Sequence, residues 1–416
     1  MTNKTLRIAL IGFLLLSVAS LFTTNGQKVE TGLEALVRGS FNELKGKRVG
    51  LITNPTGVDH NLRSAIDIFY NAGGFRLTAL YSPEHGIRGE FTAGETVGSA
   101  SDPVTKLPVY SLYGKTRKPT PEMLKGIDIL VYDVQDIGSR SYTFISTLGL
   151  AMEAAAENNI EFIVLDRPNP LGGIRMEGAL TKPAFTSFVS QFPIPYVHGM
   201  TVGELAMFLN GEKMLKDGVQ CKLKVIKMNG WNREMLWEDT GLPWVLTSPH
   251  IPQSITSLYY PATGIFGELY VASIGVGYTL PFQLFASEWF DAEPLADNLN
   301  ALKLPGIIFR PVYYKPYYSV SAGKTVEGVQ IHITDPVKSP LSLIQFYIMQ
   351  EAHKLWPEKD IFAMCDESRL LMFDKVCGTD LVRLVFTKTY SVDSILGLWF
   401  DEIPSFRDRA KKYFLY

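Results

Sequence analysis

The sequence predicts an α/β protein: a Rossmann-like, doubly wound, mostly parallel sheet joined to a second, smaller α+β domain. Three observations carry that prediction. From about residue 45 to 230, short apolar or β-branched runs alternate with longer helical patterns, the texture of a parallel sheet covered on both faces. Two of those runs, "IDILVYDV" and "IEFIVLD", are almost continuously apolar, as strands buried on both sides require. After about 240, prolines and aromatics crowd into "SPHIPQSITSLYYPATGIF" and "FRPVYYKPYYS", and the alternation stops. A chain of 416 residues has room for two or three packed units. The expected division is residues 1–26 as a leader, 27–240 as the Rossmann-like domain and 241–416 as the α+β domain.

The leader reads as a secretory signal. Lys4 and Arg7 precede "IALIGFLLLSVASLF", and small residues at Val18, Ala19 and Ser20 come before polar sequence. The apolar run falls short of the roughly 18 residues of a membrane span; an uncleaved anchor is the alternative. An exported, periplasmic protein is the expectation.

The elements then follow in order. "KRVGLIT" reads as a strand, and "NLRSAIDIFYNAG" as a helix stopped by glycine. "FRLTALY" and "LPVYSLY" are strands, and "PTPEMLKG" is a short helix with proline in its first turn. "IDILVYDV", the helix "YTFISTLGLAMEAAAENN" and "IEFIVLD" come next. "TVGELAMFLNGEKML" opens with a capping-box pattern, and "CKLKVIKM" closes the series. Beyond 240 the strands are "GIIFRPVYY" and "VEGVQIHITD". The helices there are "SPLSLIQFYIMQEAHKLW" and "SILGLWFDEIPSFRDRAKKYF".

Composition excludes several functions. Apolar residues make up 46% and charged residues 20%, and the formal charge is −2 with no basic run, so no nucleic-acid partner is expected. Three cysteines make no disulfide framework; Cys365 with Cys377 is the one plausible pair. No CxxC or HExxH spacing is present, so no structural metal site is expected. The first strand runs into "NPTGVDH" instead of GxGxxG, and neither a P-loop nor a GxSxG elbow appears, which removes nucleotide cofactors and serine-hydrolase chemistry. Carboxylate acid–base hydrolysis remains, with or without histidine.

In an open parallel sheet, ligands bind beyond the carboxyl ends of the strands. Four strands here run into "NPTG", "SPEHGIRGE", "VQDIGSR" and "RPNPLGG". A parallel sheet would therefore gather Asn54, Glu84, His85, Arg88, Asp133, Gln135, Asp136, Arg140, Asp166, Arg167 and Asn169 along one edge. Structural roles compete with this. Asn54 suits a turn, Asp166 and Arg167 could hold the "RPNP" turn, Asp133 could be satisfied by backbone donors, and His85 could be simply buried. A metal-dependent hydrolase using Glu84, His85 and Asp133 is a further alternative.

Taken in order, "LITNPTG", "YSPEHGIRGEFTAGE", "LPVYSLYG", "YDVQDIGSRSYTF", "LDRPNPLGG" and "HGMTVGELA" resemble the exo-β-N-acetylmuramidases of glycoside hydrolase family 171. The likeness continues through "SPHIP", "YPATG", "FRPVYY" and "GVQIHITD". It implies a Rossmann-like domain and a smaller C-terminal domain with the active site in the cleft between them. It also implies release of terminal N-acetylmuramic acid from the non-reducing ends of peptidoglycan fragments. Carried over residue by residue, it places Glu84 as general acid beside His85, with Arg88 and Glu95 following. "DxQDxGxRxYT" gives Asp133, Gln135, Asp136, Arg140 and Tyr142; "DRPNP" gives Asp166, Arg167 and Asn169. The second catalytic group is left open among Asp133, Asp136, Glu95 and the substrate's own acetamido group. Arg88 and Arg140 would clamp the lactyl carboxylate, or else pair with Asp133 or Asp136. One segment departs from the pattern: at 260–282 the expected arginine is Val276, the asparagine falls near Tyr270 and the acid is displaced to Glu268. His250 also stands where asparagine is usual. A catalytically altered binding paralogue is the corresponding alternative.

Overall fold

The computed structural model describes residues 28–88 and 100–416. The leader and Glu95 lie outside the described residues. The main sheet has seven strands: β1 (Arg48–Thr53), β2 (Arg76–Ser82), β3 (Ala100–Ser101), β4 (Pro108–Ser111), β5 (Ile129–Asp133), β6 (Glu161–Leu165) and β7 (Lys222–Ile226). Their order is β3-β4-β2-β1-β5-β6-β7, every neighbouring pair parallel except β3 with β4. The chain travels outward from β1 to β4 on one side, then from β5 to β7 on the other. The topological switch point thus lies between β1 and β5, whose ends are level because Thr53 pairs with Asp133.

The sheet is covered by α1 (Gly32–Arg38), α2 (Ala65–Asn71), α3 (Phe144–Glu157) and α4 (Val202–Gly211). Capping boxes start α1 and α4: Thr31 with Glu34, and Thr201 with Glu204. β5 is buried at all five positions, as its apolar run requires.

The second part begins with α5 (Thr256–Gly267). A three-stranded antiparallel sheet follows, ordered β8-β10-β9 and built from β8 (Leu284–Ser287), β9 (Ile307–Tyr314) and β10 (Val326–Ile333). α6 (Ala292–Ala301) packs on that sheet, α7 (Ile344–Leu355) packs on α6 and α5, and α8 (Glu367–Cys377) packs on α5; α9 (Leu381–Thr389), α10 (Leu396–Phe400) and α11 (Ile403–Ala410) end the chain. Among the described residues, no helix is long and apolar enough to cross a membrane.

Three expectations change, and one helix accommodates a proline. Residues 121–126 form successive turns instead of a helix, with Gly126 at φ 81° ending the segment after barely one turn. α5 is continuous through Pro261. There the Gln345 amide donates to the Pro261 carbonyl, and its oxygen accepts from the Phe266 N–H. The final helical run breaks into α10 and α11. Cys221, Cys365 and Cys377 are all free thiols.

Two buried polar ties join distant parts of the chain. Arg140, 1% exposed, donates to the carbonyls of Ala179 (2.6 Å), Ile194 (2.5 Å) and Val376 (2.8 Å) and to the Ser190 hydroxyl (3.1 Å). It therefore anchors α8 to the Rossmann-like part. Burial pulls its pKa down to about 10, so it stays charged at neutral pH. At the other tie, Asp166 accepts from the backbone N–H groups of Arg167 and Gly203 and from the hydroxyls of Thr201 and Tyr416. The carboxyl-terminal residues thereby dock onto α4: Leu415 N–H donates to Glu204, Arg233 pairs with Glu204 at 2.7 Å, and Arg233 lies 3.5 Å from the Phe414 ring centroid.

Two outcomes follow for stability. Arg140→Met strands four acceptors that were bonded to a charged donor, so it should destabilise the fold by about 3 kcal/mol or more, read from the urea midpoint. Burial, opposed by its donors, pushes the Asp166 carboxyl up from 3.8 to about 7. A raised folded pKa means the native state holds the proton more tightly than the unfolded chain. That contribution is complete below about pH 4 and is lost as pH rises through 7. The stability of the wild type relative to Asp166→Asn should therefore fall between pH 5 and 7, by at most about 1.4 kcal/mol per pH unit. Parallel thermal melts of the two proteins check it.

Candidate active site

β2 ends at Ser82, and the chain turns through Pro83, Glu84, His85 and Gly86. His85 (φ 75°) and Gly86 (φ 85°) are successive left-handed residues. A side chain in that region costs on the order of 1–3 kcal/mol and persists only when its surroundings enforce it, a pattern concentrated at functional sites. Glu84 enters a cleft of about 470 Å³. Its Oε2 accepts a 2.6 Å hydrogen bond from Thr143, the residue that begins α3. Tyr113, just past β4, stands beside the same carboxylate; burial first and the Glu84 charge second push its hydroxyl up to about 12.

The opposite wall comes from later sequence. Ser248 and His250, Tyr260 and Glu268 from α5 and its end, and Met372 and Lys375 from α8 all line the cleft. Hydroxyl contacts hold the walls in place: Tyr142 donates to Thr247 (2.8 Å), and Ser141 meets the Tyr260 hydroxyl (3.1 Å). His250 Nε2 meets the Tyr318 hydroxyl at 2.8 Å, and burial followed by the nearby His85 lowers its pKa. Glu268 is the second carboxyl of the cleft. Burial, only partly offset by Arg369, pushes it up to about 7. It also follows the last residue of α5, where the helix dipole disfavours negative charge.

Of the residues expected from sequence, the cleft brings together Glu84, His85, Tyr142 and Glu268. The others are engaged elsewhere. Asp133 and Arg167 form a bidentate ion pair (2.6 and 3.0 Å), 0% and 4% exposed as side chains. Burial, which exceeds the opposing pull of Arg167, raises the Asp133 pKa. Gln135 donates to the carbonyls of Asp136 and Pro168. Asp136 accepts from Gly138 N–H and lies 3.4 Å from His198. Asn54 and Asn169 close local turns by accepting from Thr56 and Leu171. Arg88 pairs with Asp102 at 2.8 Å, not with Asp133 or Asp136. Arg140 and Asp166 are the structural ties described above, which removes Arg140 as a carboxylate clamp.

The cavity at the switch point, lined by Thr56, Gln135 and Arg167, has only about 10 Å³, scarcely room for one water. A ligand-sized cleft, the one Glu84 enters, lies instead beyond β2 and β4. Among the described residues, no three His, Cys, Asp or Glu side chains are placed to hold a metal ion. Both Asp133 oxygens are taken by Arg167, so the triad of Glu84, His85 and Asp133 is not assembled.

Sequence reasoning passed over Tyr113, Thr143, Tyr260 and Lys375. The first three sit inside segments already singled out, "LPVYSLYG", "SYTF" and "YPATG", where a hydroxyl aimed at a carboxylate looks like any other. Lys375 had no local signal, because α8 reaches the cleft from more than a hundred residues further along the chain.

Comparison with known proteins places the chain in a family. Residues 49–255 match the family model for exo-beta-N-acetylmuramidase NamZ, N-terminal, and residues 258–416 match its C-terminal counterpart. The chain is 43% identical over 394 residues to the peptidoglycan beta-N-acetylmuramidase NamZ of Bacillus subtilis, covering 95% of this chain and 93% of that protein. Two crystal structures of DUF1343 family proteins from Bacteroides fragilis superpose on it. One is 55% identical with a TM-score of 0.90, the other 28% identical with a TM-score of 0.74; each match covers 94% of this chain and 99% of the other. The chain therefore belongs to the exo-β-N-acetylmuramidase NamZ family of glycoside hydrolases.

Proposed function

We propose that the protein is a peptidoglycan β-N-acetylmuramidase that removes terminal N-acetylmuramic acid from the non-reducing ends of glycan fragments in the periplasm, with Glu84 as general acid. The observation that carries this reading is the placement of Glu84: a carboxyl at the strained end of β2, oriented by Thr143, inside a cleft large enough for a small-molecule ligand. The family supports the substrate class, and the leader pattern supports export.

Glycoside cleavage needs a proton for the departing oxygen and a second group for the anomeric carbon. Glu84 would deliver the proton, with Thr143 fixing the carboxyl plane. For the second group, Asp133 is spent on Arg167, whereas the acetamido group of the substrate needs no further carboxylate. The high pKa of Glu268 favours a second reading, in which Glu268 carries the proton and Glu84 is the other carboxylate, since an acid titrating near the working pH is suited to donation.

Leaving-group dependence separates the two readings. Glu84→Gln should fold normally and lose about 10²- to 10⁴-fold in kcat/KM on a muramide with a poor leaving group. Much of that loss should be recovered on a dinitrophenyl muramide, whose departure needs no proton. That pattern in Glu268→Gln and not in Glu84→Gln would select the exchanged roles. Export has its own check: the full-length chain expressed in a Gram-negative host should appear in the periplasmic fraction, shortened at its amino end.

A further inference from the structure

Past Glu268 the cleft continues into a side pocket of about 200 Å³, which shares Tyr260, Glu268 and Phe282 with it. The side pocket is also lined by Arg369, from the first turn of α8. The Arg369 guanidinium lies 3.8 Å from the Tyr270 ring centroid, an arrangement that restrains the guanidinium plane. α8 approaches edge-on: Arg369 lines the side pocket, while Met372 and Lys375, at three-residue intervals on the same edge, line the cleft.

Among the described residues Arg369 makes no ion pair. The two acids that feel its charge, Asp366 and Glu268, are occupied or discharged. Asp366 caps α8, accepting from the Ser368 hydroxyl and from the backbone N–H of Arg369. Glu268, with its pKa pushed up to about 7, carries a proton below neutral pH and then acts as a donor. The pocket thus offers a half-buried, ring-stacked guanidinium and a carboxyl donor, with no fixed anion among the described residues to satisfy them. A carboxylate matches that donor set, because guanidinium binds it through two parallel hydrogen bonds.

We propose that the side pocket is a subsite for a carboxylate of the glycan substrate and that Arg369 is its specificity-determining residue. The assignment rests on the muramidase reading for its substrate class, and it deepens that reading by naming the group that distinguishes a muramic acid residue from an uncharged hexosamine. Two substrate carboxylates are available, the lactyl ether and the peptide stem.

The test measures KM for wild type, Arg369→Leu and Arg369→Lys on three chromogenic glycosides. These are the N-acetylmuramide, the same sugar with its lactyl group capped as a methylamide, and the muramyl dipeptide. Expected for a lactyl carboxylate is a KM raised about tenfold or more in Arg369→Leu on the first substrate, part of it recovered in Arg369→Lys, and no difference on the capped sugar. A difference confined to the dipeptide would support the subsite and assign it to the stem. Equal KM values on all three substrates would overturn it. If the wild type cleaves none of them, the muramidase reading fails instead. Titration of free N-acetylmuramic acid and its methylamide then decides the pocket: tighter carboxylate binding by wild type than by Arg369→Leu supports it, and equal binding overturns it.

Discussion

The bidentate pair of Asp133 and Arg167 is the constraint around which the carboxyl edge of the sheet is arranged. It bridges the ends of β5 and β6, and Arg167 reaches further to the carbonyl of Val58 in the loop after β1. The Thr53 hydroxyl donates to the Asp133 carbonyl, and the Gln135 N–H donates to Thr56. Two ions removed from water cost several kcal/mol each, so such a pair persists only with near-ideal geometry and its remaining lone pairs satisfied. Those conditions force the three loops into one conformation. The switch point is thereby filled with structure, and the space for a ligand moves one strand outward.

That displacement explains the division of labour in the site. The Rossmann-like part supplies Glu84 from the loop after β2, and Thr143 at the start of α3 orients it. The second part supplies the opposing wall from α5 and α8, with Lys375 and Arg369 both on α8. Arg140 connects the two. It touches no cleft residue through its guanidinium, yet its bond to Val376 sets the end of the helix that carries Arg369 and Lys375. The motif arginine acts through position, and in the proposed subsite the carboxylate contact falls to a residue outside every motif.

The buried acids illustrate how environment separates chemically similar groups. Asp133 faces a cation, Asp166 is ringed by neutral donors, and Glu268 faces a cleft at a helix carboxyl end. The first two hold the scaffold together. Only Glu84 and Glu268, among the expected carboxylates within the described residues, meet a space that a sugar could enter.

Sequence by itself determined the parallel sheet, because apolar runs such as "IDILVYDV" satisfy no other environment. It also placed the loops, because strand ends in a doubly wound fold share an edge. Glu84 and His85 were legible for the same reason: they follow the end of a strand, β2. What sequence could not separate was Asp133, Asp166 and Arg140 from Glu84, since ion pairs and backbone acceptors across tens to hundreds of residues decide which polar groups are consumed by folding. Tertiary structure alone brought α8 to the cleft, because a helix amphipathic along its own axis carries no record of the distant surface on which it will pack.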